Sequence, residues 1–218
     1  MSRFNTIFPR SLFVVVEGVD GVGKTTYIAK LKEALEARNI NVVVVEQFTH
    51  PDTKGLRQTT VANNCLTHAD RSYLVALDRS VNARQVIKPA LAQHNTIVIA
   101  DRWTPSTYVY GGNTIDWVAA TNQGITTDVL LLLELPLQSN KPVATQGHTE
   151  DCYDNEPMEM RRRRDMLYAD VKTITRTLGS PQSSRLLTQQ INAFTQTEQD
   201  FDQLVTTLQH RLSISNKA

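Results

Sequence analysis

The sequence predicts an α/β fold: a five-stranded parallel sheet flanked by helices, with a small lid. Three observations predict it. Short Val- and Ile-rich runs alternate along the chain with longer stretches of helical apolar spacing. The first run, Leu12 to Val16, passes directly into a glycine-rich loop and then a helix. The third run, Ile97 to Ala100, ends on Asp101-Arg102, where a sheet of this kind gathers its ligands.

Leu12 to Val16 is continuously apolar, the pattern of a strand buried on both faces. Lys24 to Arg38 carries Ile28, Leu31 and Leu35 at helical spacing, and Asn39 ends that helix. Val42 to Val45 is a second buried strand. Residues 49 to 64 are polar and irregular. Ala69 to Ala92 reads as one long helix, kinked before Pro89. Thr96 to Ala100 is the third strand. Ser106 to Asn122 is helical but interrupted at Gly111-Gly112. Asp128 to Leu135 is the fourth strand, stopped by Pro136. A helix is predicted over 158–178, a weak fifth strand near Arg185 to Ile191, and a closing amphipathic helix from Thr197 to Leu212.

Residues 137–157 break the alternation and are predicted to form a lid insert within one domain spanning 1–218. The insert is rich in Gln, Ser, Thr, Asn, Gly and Pro. Its acids are Glu150, Asp151, Asp154 and Glu156, against Lys141 as its one lysine or arginine.

The chain carries 23 Lys plus Arg against 22 Asp plus Glu, a formal charge of +1. Nucleic-acid binding normally shows basic clustering, so none is expected. Cys65 and Cys152 match no metal spacing and read as free thiols. No apolar run approaches the roughly 20 residues of a membrane helix. The expectation is a soluble protein of the cytoplasm.

Gly18-Val19-Asp20-Gly21-Val22-Gly23-Lys24-Thr25 matches G-x-x-x-x-G-K-[ST] between a strand and a helix. The glycines let successive N–H groups turn inward around an oxyanion, and the helix N-terminus adds partial positive charge. This P-loop, extended through Thr26, is the predicted ATP site. Lys24 is expected on the β- and γ-phosphates and the Thr25 hydroxyl on Mg²⁺. Asp101, at the end of the third strand, points toward the loop as a second holder of Mg²⁺. Arg102 beside it suits a phosphate. The loop alone does not separate a kinase from a GTPase or a motor, although no N-K-x-D segment is present.

Further residues narrow the choice. The loop resembles G-x-D-G-x-G-K-T-T. Leu74-Val75-Ala76-Leu77-Asp78-Arg79 resembles L-F-x-A-x-R. Asp101-Arg102-Trp103, Ser106 and Tyr110-Gly111-Gly112 resemble D-R-Y…S…Y-x-G. Asp128 to Pro136 resembles P-D-L-x-L-x-L-x-x-P, and Ile191-Asn192-Ala193 resembles I-D-A. In this order the set resembles the thymidylate kinase family of nucleoside monophosphate kinases, over about residues 12 to 212.

That resemblance implies transfer of the γ-phosphoryl group of Mg·ATP to dTMP by a homodimer built through the helices between 54 and 92. It implies that Asp20 lies between donor and acceptor, that Arg79 touches the base edge, and that Arg102 holds the acceptor phosphate. It places Phe48, Val75, Ser106 and Thr107 at the acceptor. Tyr110 would pack under the sugar and favour deoxyribose.

The sequence departs from the family at three places. Val75 stands where the family stacks a Phe on thymine. Gln47-Phe48-Thr49-His50-Pro51 keeps a Phe but lacks the family's phosphate-binding arginine, leaving His50 or Lys54 as the nearby cation. Position 21 is Gly and residues 137–157 hold no Arg. The catalytic arginine is therefore expected in Arg161-Arg162-Arg163-Arg164, with Arg162 and Arg164 matching R-x-R. These departures leave two alternatives: a kinase for another or modified dNMP or a deoxynucleoside, and a nucleotide-binding protein that has lost turnover.

Overall fold

The computed structural model describes residues 11–19, 21–56, 58, 66–111, 114–121, 125–134, 187–192 and 195–214. Asp20, the lid 137–157, the helix predicted over 158–178 and Arg161 to Arg164 lie outside the described residues.

The described strands are β1 (Ser11–Glu17), β2 (Asn41–Val45), β3 (Thr96–Asp101), β4 (Val129–Glu134) and β5 (Leu187–Asn192). They form one sheet in the order β2-β3-β1-β4-β5, with every pairing parallel. The helices are α1 (Lys24–Glu36), α2 (His68–Asn82), α3 (Lys88–Leu91), α4 (Thr104–Gly111), α5 (Ile115–Ala120) and α6 (Glu198–Ile214). From β1 the chain crosses to the edge strand β2, returns inward to β3 and then passes over to β4 and β5, so the crevice between the carboxyl ends of β1 and β3 is the switch point of the sheet.

Strand parity sorts the core into two layers. Leu12, Val14, Val16, Ile97, Ile99, Leu131 and Leu133 pack under α1 and α6. Phe13, Val15, Val98, Ala100, Leu130 and Leu132 pack under the α2–α4 side with Ile87, Ala90, Trp103 and Val109. On α6 the stripe Phe201, Leu204, Val205, Leu208 and Leu212 is buried at helical spacing. Each such side chain contributes roughly 1.5–3 kcal/mol of burial.

The long helix predicted over 69–92 is present but not uniform. Thr67 caps it with a capping box, accepting from Asp70 N and donating its own N–H to the Asp70 carboxylate. Between α2 and α3 the residues Ala83–Ile87 form a π-helical turn, and Lys88 N–H donates to Ala83 O, five residues back. Pro89 has no N–H to give to the preceding turn and its ring crowds that turn's carbonyl, so the coil widens just ahead of it. Where the sequence predicts one interrupted helix, α4 ends at Gly111 and α5 starts on the Thr114 cap.

Candidate nucleotide-phosphate and acceptor site

Gly18 leaves β1 with φ +150, and a Cβ there would stand 2.5 Å from the Leu133 carbonyl oxygen on β4. Only glycine lets the loop start this close to its neighbour strand. Gly21 and Gly23 also have positive φ, at 74° and 91°. Gly23 caps α1 without any side-chain bond, so the first-turn N–H groups of a 13-residue helix open toward the loop. That is the arrangement of an anion site. Lys24 is buried, its ammonium held by the carbonyls of Gly18 at 3.1 Å and Val19 at 2.9 Å. Val22 is fully buried and anchors the loop to the core.

Parity also brings Thr25 and Asp101 together. Asp101 continues the Ile97, Ile99 side of β3, the side that α1 covers. The Thr25 hydroxyl stands 3.4 Å from Asp101 Oδ2, and Asp101 Oδ1 is buried with no hydrogen-bond partner. A hydroxyl and a carboxylate with an unspent oxygen fit Mg²⁺, which takes few protein oxygens and completes its shell with water and phosphate.

On the opposite parity lies the cluster around Arg102 and Arg79. Arg102 sits in the left-handed region at φ 68, with its N–H on Val16 O. Its guanidinium donates to Ser106 Oγ at 3.0 Å and lies 4.9 Å from the Tyr110 ring centre. Arg79 is fully buried; its Nη2 donates to Trp103 O and its plane lies 5.2 Å from the Trp103 ring. Its Nε and Nη1 are buried without a partner. Burial pushes the Arg79 guanidinium down to about 10, against the attraction of Glu17 and Asp78. Thr107 is buried with its hydroxyl unpartnered. Val75 is half-buried on α2, one turn before Arg79.

Phe48 takes φ 57 in the loop after β2, and its N–H donates to Asp78 Oδ2 at 3.0 Å. Thr53 Oγ1 bonds the other Asp78 oxygen, so this buried carboxylate ties the loop to α2. His50 Nδ1 accepts from Asp52 N at 3.2 Å, which leaves Nε2 as its donor.

Two carboxylates were missed by sequence reasoning: Asp78 and Glu17. Glu17 is fully buried and accepts from Trp103 N at 2.9 Å, Ser106 N at 3.2 Å and Ser106 Oγ at 2.7 Å. The available signal was parity, since Glu17 continues the Phe13, Val15 face. Asp20, Arg162 and Arg164 lie outside the described residues.

A family model described as Thymidylate kinase matches residues 16–191. A probable thymidylate kinase of Pyrococcus abyssi is 27 % identical over 214 residues, covering 93 % of this chain and 98 % of that relative. A thymidylate kinase of Xanthomonas oryzae pv. oryzae is 38 % identical over 133 residues, 59 % of this chain and 58 % of the relative. The crystal structure of thymidylate kinase from Ehrlichia chaffeensis superposes with TM-score 0.67 at 21 % identity, covering 92 % of this chain and 99 % of that one. That last likeness is one of fold.

Proposed function

This chain belongs to the thymidylate kinase family, and from that premise we propose that it transfers the γ-phosphoryl group of ATP to dTMP, giving dTDP and ADP. The observation that carries the acceptor assignment is the pair of arginines at the carboxyl edge of β3. Arg102 presents a guanidinium stacked on Tyr110, and Arg79 keeps two buried N–H groups unspent. An unsatisfied buried donor costs about 1–3 kcal/mol, so a polar base edge arriving there is rewarded.

Lys24 and the α1 N-terminus hold the donor phosphates. Arg102 holds the acceptor phosphate in line with them, and Tyr110 packs beside the sugar. Positioning and charge neutralisation then suffice, with no covalent enzyme intermediate. Thr25 and Asp101 would hold Mg²⁺, which neutralises charge on the donor phosphates. Asp20 is proposed between donor and acceptor, and Arg162 or Arg164 as the arginine meeting charge on the transferred group. The lid 137–157 would exclude water.

A homodimer through α2 is part of the same proposal. It is supported by Tyr73 and Leu77, 61 % and 51 % exposed one turn apart on that helix. No described helix is long and apolar enough to cross a membrane, and a cytoplasmic location is proposed with the function.

A second acceptor is favoured by Val75, which offers no ring face to the base, and by the loop at His50, which lacks an arginine fork. A coupled ADP-release assay with dTMP, dUMP, dCMP, dGMP, dAMP and the ribonucleotide TMP decides between them. Highest kcat/KM with dTMP is expected. A clear preference for another monophosphate would replace dTMP, and ATP binding without turnover on any acceptor would sink the kinase reading.

A further inference from the structure

We propose that Glu17 is a positioning residue for the acceptor arm: its buried carboxylate fixes the turn at Arg102 and, through Ser106, the direction of the Arg102 guanidinium. This rests on Arg102 holding the acceptor phosphate.

A carboxylate removed from water costs several kcal/mol unless charge and hydrogen bonds compensate it. Glu17 is fully buried, and three hydrogen bonds join its carboxylate to one short segment, 103–106. Oε1 takes the N–H groups of Trp103 and Ser106, at 2.9 and 3.2 Å. Both donors follow closely on Arg102, which stands between β3 and α4 in the left-handed region at φ 68. A non-glycine residue there costs of order 1–3 kcal/mol and persists only where its surroundings hold it. The Glu17 carboxylate and the Arg102 N–H bond to Val16 O hold it from both sides.

The side-chain path is directional. Ser106 has one hydroxyl proton. Ser106 Oγ donates it to Glu17 Oε2 at 2.7 Å. The Ser106 lone pairs then face Arg102, whose Nη1 donates to them at 3.0 Å. Tyr110 lies against the guanidinium plane at 4.9 Å. Ser106 and the Tyr110 ring thus both hold the guanidinium and together set its direction. Because Glu17 directly precedes Gly18, whose carbonyl holds Lys24, one dipeptide joins the donor and acceptor halves of the site.

The rival explanation is that Glu17 only stabilises the turn. Glu17→Gln separates the two. It preserves volume and an oxygen for the Trp103 and Ser106 N–H groups, but its amide nitrogen can only donate to Ser106. Ser106→Ala removes the relay and leaves the carboxylate. Steady-state kinetics, melting curves and dTMP calorimetry are measured on all variants. Expected are a melting temperature within a few degrees of wild type and a nearly unchanged KM for ATP. The kcat/KM for the acceptor falls about 10- to 100-fold in either single variant, the range of a charged hydrogen bond. The double variant is no worse than the worse single one, because both act along one path.

An unchanged acceptor kcat/KM in folded Glu17→Gln would overturn this proposal alone. So would a uniform loss, with ATP and acceptor constants falling alongside melting temperature. Wild-type protein that neither binds nor phosphorylates any deoxynucleotide would overturn the acceptor reading, and this proposal with it.

Discussion

Arg79 is held by the residue it faces: its guanidinium lies over the Trp103 ring at 5.2 Å and donates to the Trp103 carbonyl. One edge is therefore fixed, while Nε and Nη1 stay buried and unspent. Arg79→Met keeps apolar bulk and removes the donors. It is expected to raise KM for the acceptor about 10- to 100-fold with little change in KM for ATP, measured by steady-state kinetics at saturating co-substrate. Equal changes in both constants would mean that Arg79 supports the fold rather than the acceptor.

The same burial sets a pH signature. Burial lowers the folded guanidinium to about 10, well below its ordinary value in the unfolded chain. Between those values the folded protein releases the proton first, so this group makes stability rise with pH there. Below about 10 both states hold the proton and the dependence vanishes. Wild-type and Arg79→Met melting temperatures, followed from pH 6 to 9, should run parallel; a difference that changes within that window would contradict the assignment.

Thr25 and Asp101 should act as one metal-holding pair. Thr25→Ala and Asp101→Asn are each expected to shift the Mg²⁺ concentration for half-maximal rate upward about tenfold, in the range seen when outer or inner metal contacts are lost. Chelation should stop turnover and leave the circular dichroism spectrum unchanged. A Mg²⁺ dependence indifferent to both substitutions would remove them from the metal site.

Lys24→Ala should abolish phosphoryl transfer in a folded protein, because Lys24 contributes charge to the phosphates and little apolar area. Gly18→Ala should do the reverse, striking the fold first. Its Cβ meets backbone, the Leu133 carbonyl at 2.5 Å, so overpacking costs about 1–3 kcal/mol. Thermal melts alongside rates separate the two: normal stability in Gly18→Ala would show that the loop has room to shift.

Leu77→Asp tests the dimer. Sedimentation of the wild-type chain at micromolar concentration is expected to show a dimer and the variant a monomer, since a charge would replace an exposed apolar side chain on the proposed face. A monomeric wild type removes the claim.

Much of this was legible because strand parity and a loop motif are local signals. The β1 run, the glycine loop and Asp101 could be read directly, and parity on β3 places Asp101 beside Thr25. Glu17 was overlooked because a single acid before a P-loop belongs to no spacing pattern; only its partners, Trp103 and Ser106, give it meaning. They stand 86 and 89 positions away. Asp78 was hidden in the same way: its partner Thr53 lies in the stretch 49–64 read as irregular, and Phe48 stands just ahead of it. The kink before Pro89 was expected, but its form was not. Proline forbids one hydrogen bond without dictating how the preceding turn relaxes.

The widened turn at Ala83–Ile87 fixes angular phase along the helix. Each residue in a helix advances its side chain by about 100°. Beyond the turn, Ile87 and Ala90 are anchored in the core beside Val98 and Leu130. Ahead of it, α2 carries Val75, Asp78 and Arg79. Deleting one residue from this segment would let the helix close into regular coil, yet it would rotate everything upstream by about 100° relative to that anchor. Arg79 would swing off the Trp103 ring and Asp78 off the Phe48 loop, while the apolar pair at Tyr73 and Leu77 turned with them. The extra residue thus works as an angular offset, a single inserted step that sets which way the Val75, Asp78 and Arg79 face of α2 looks.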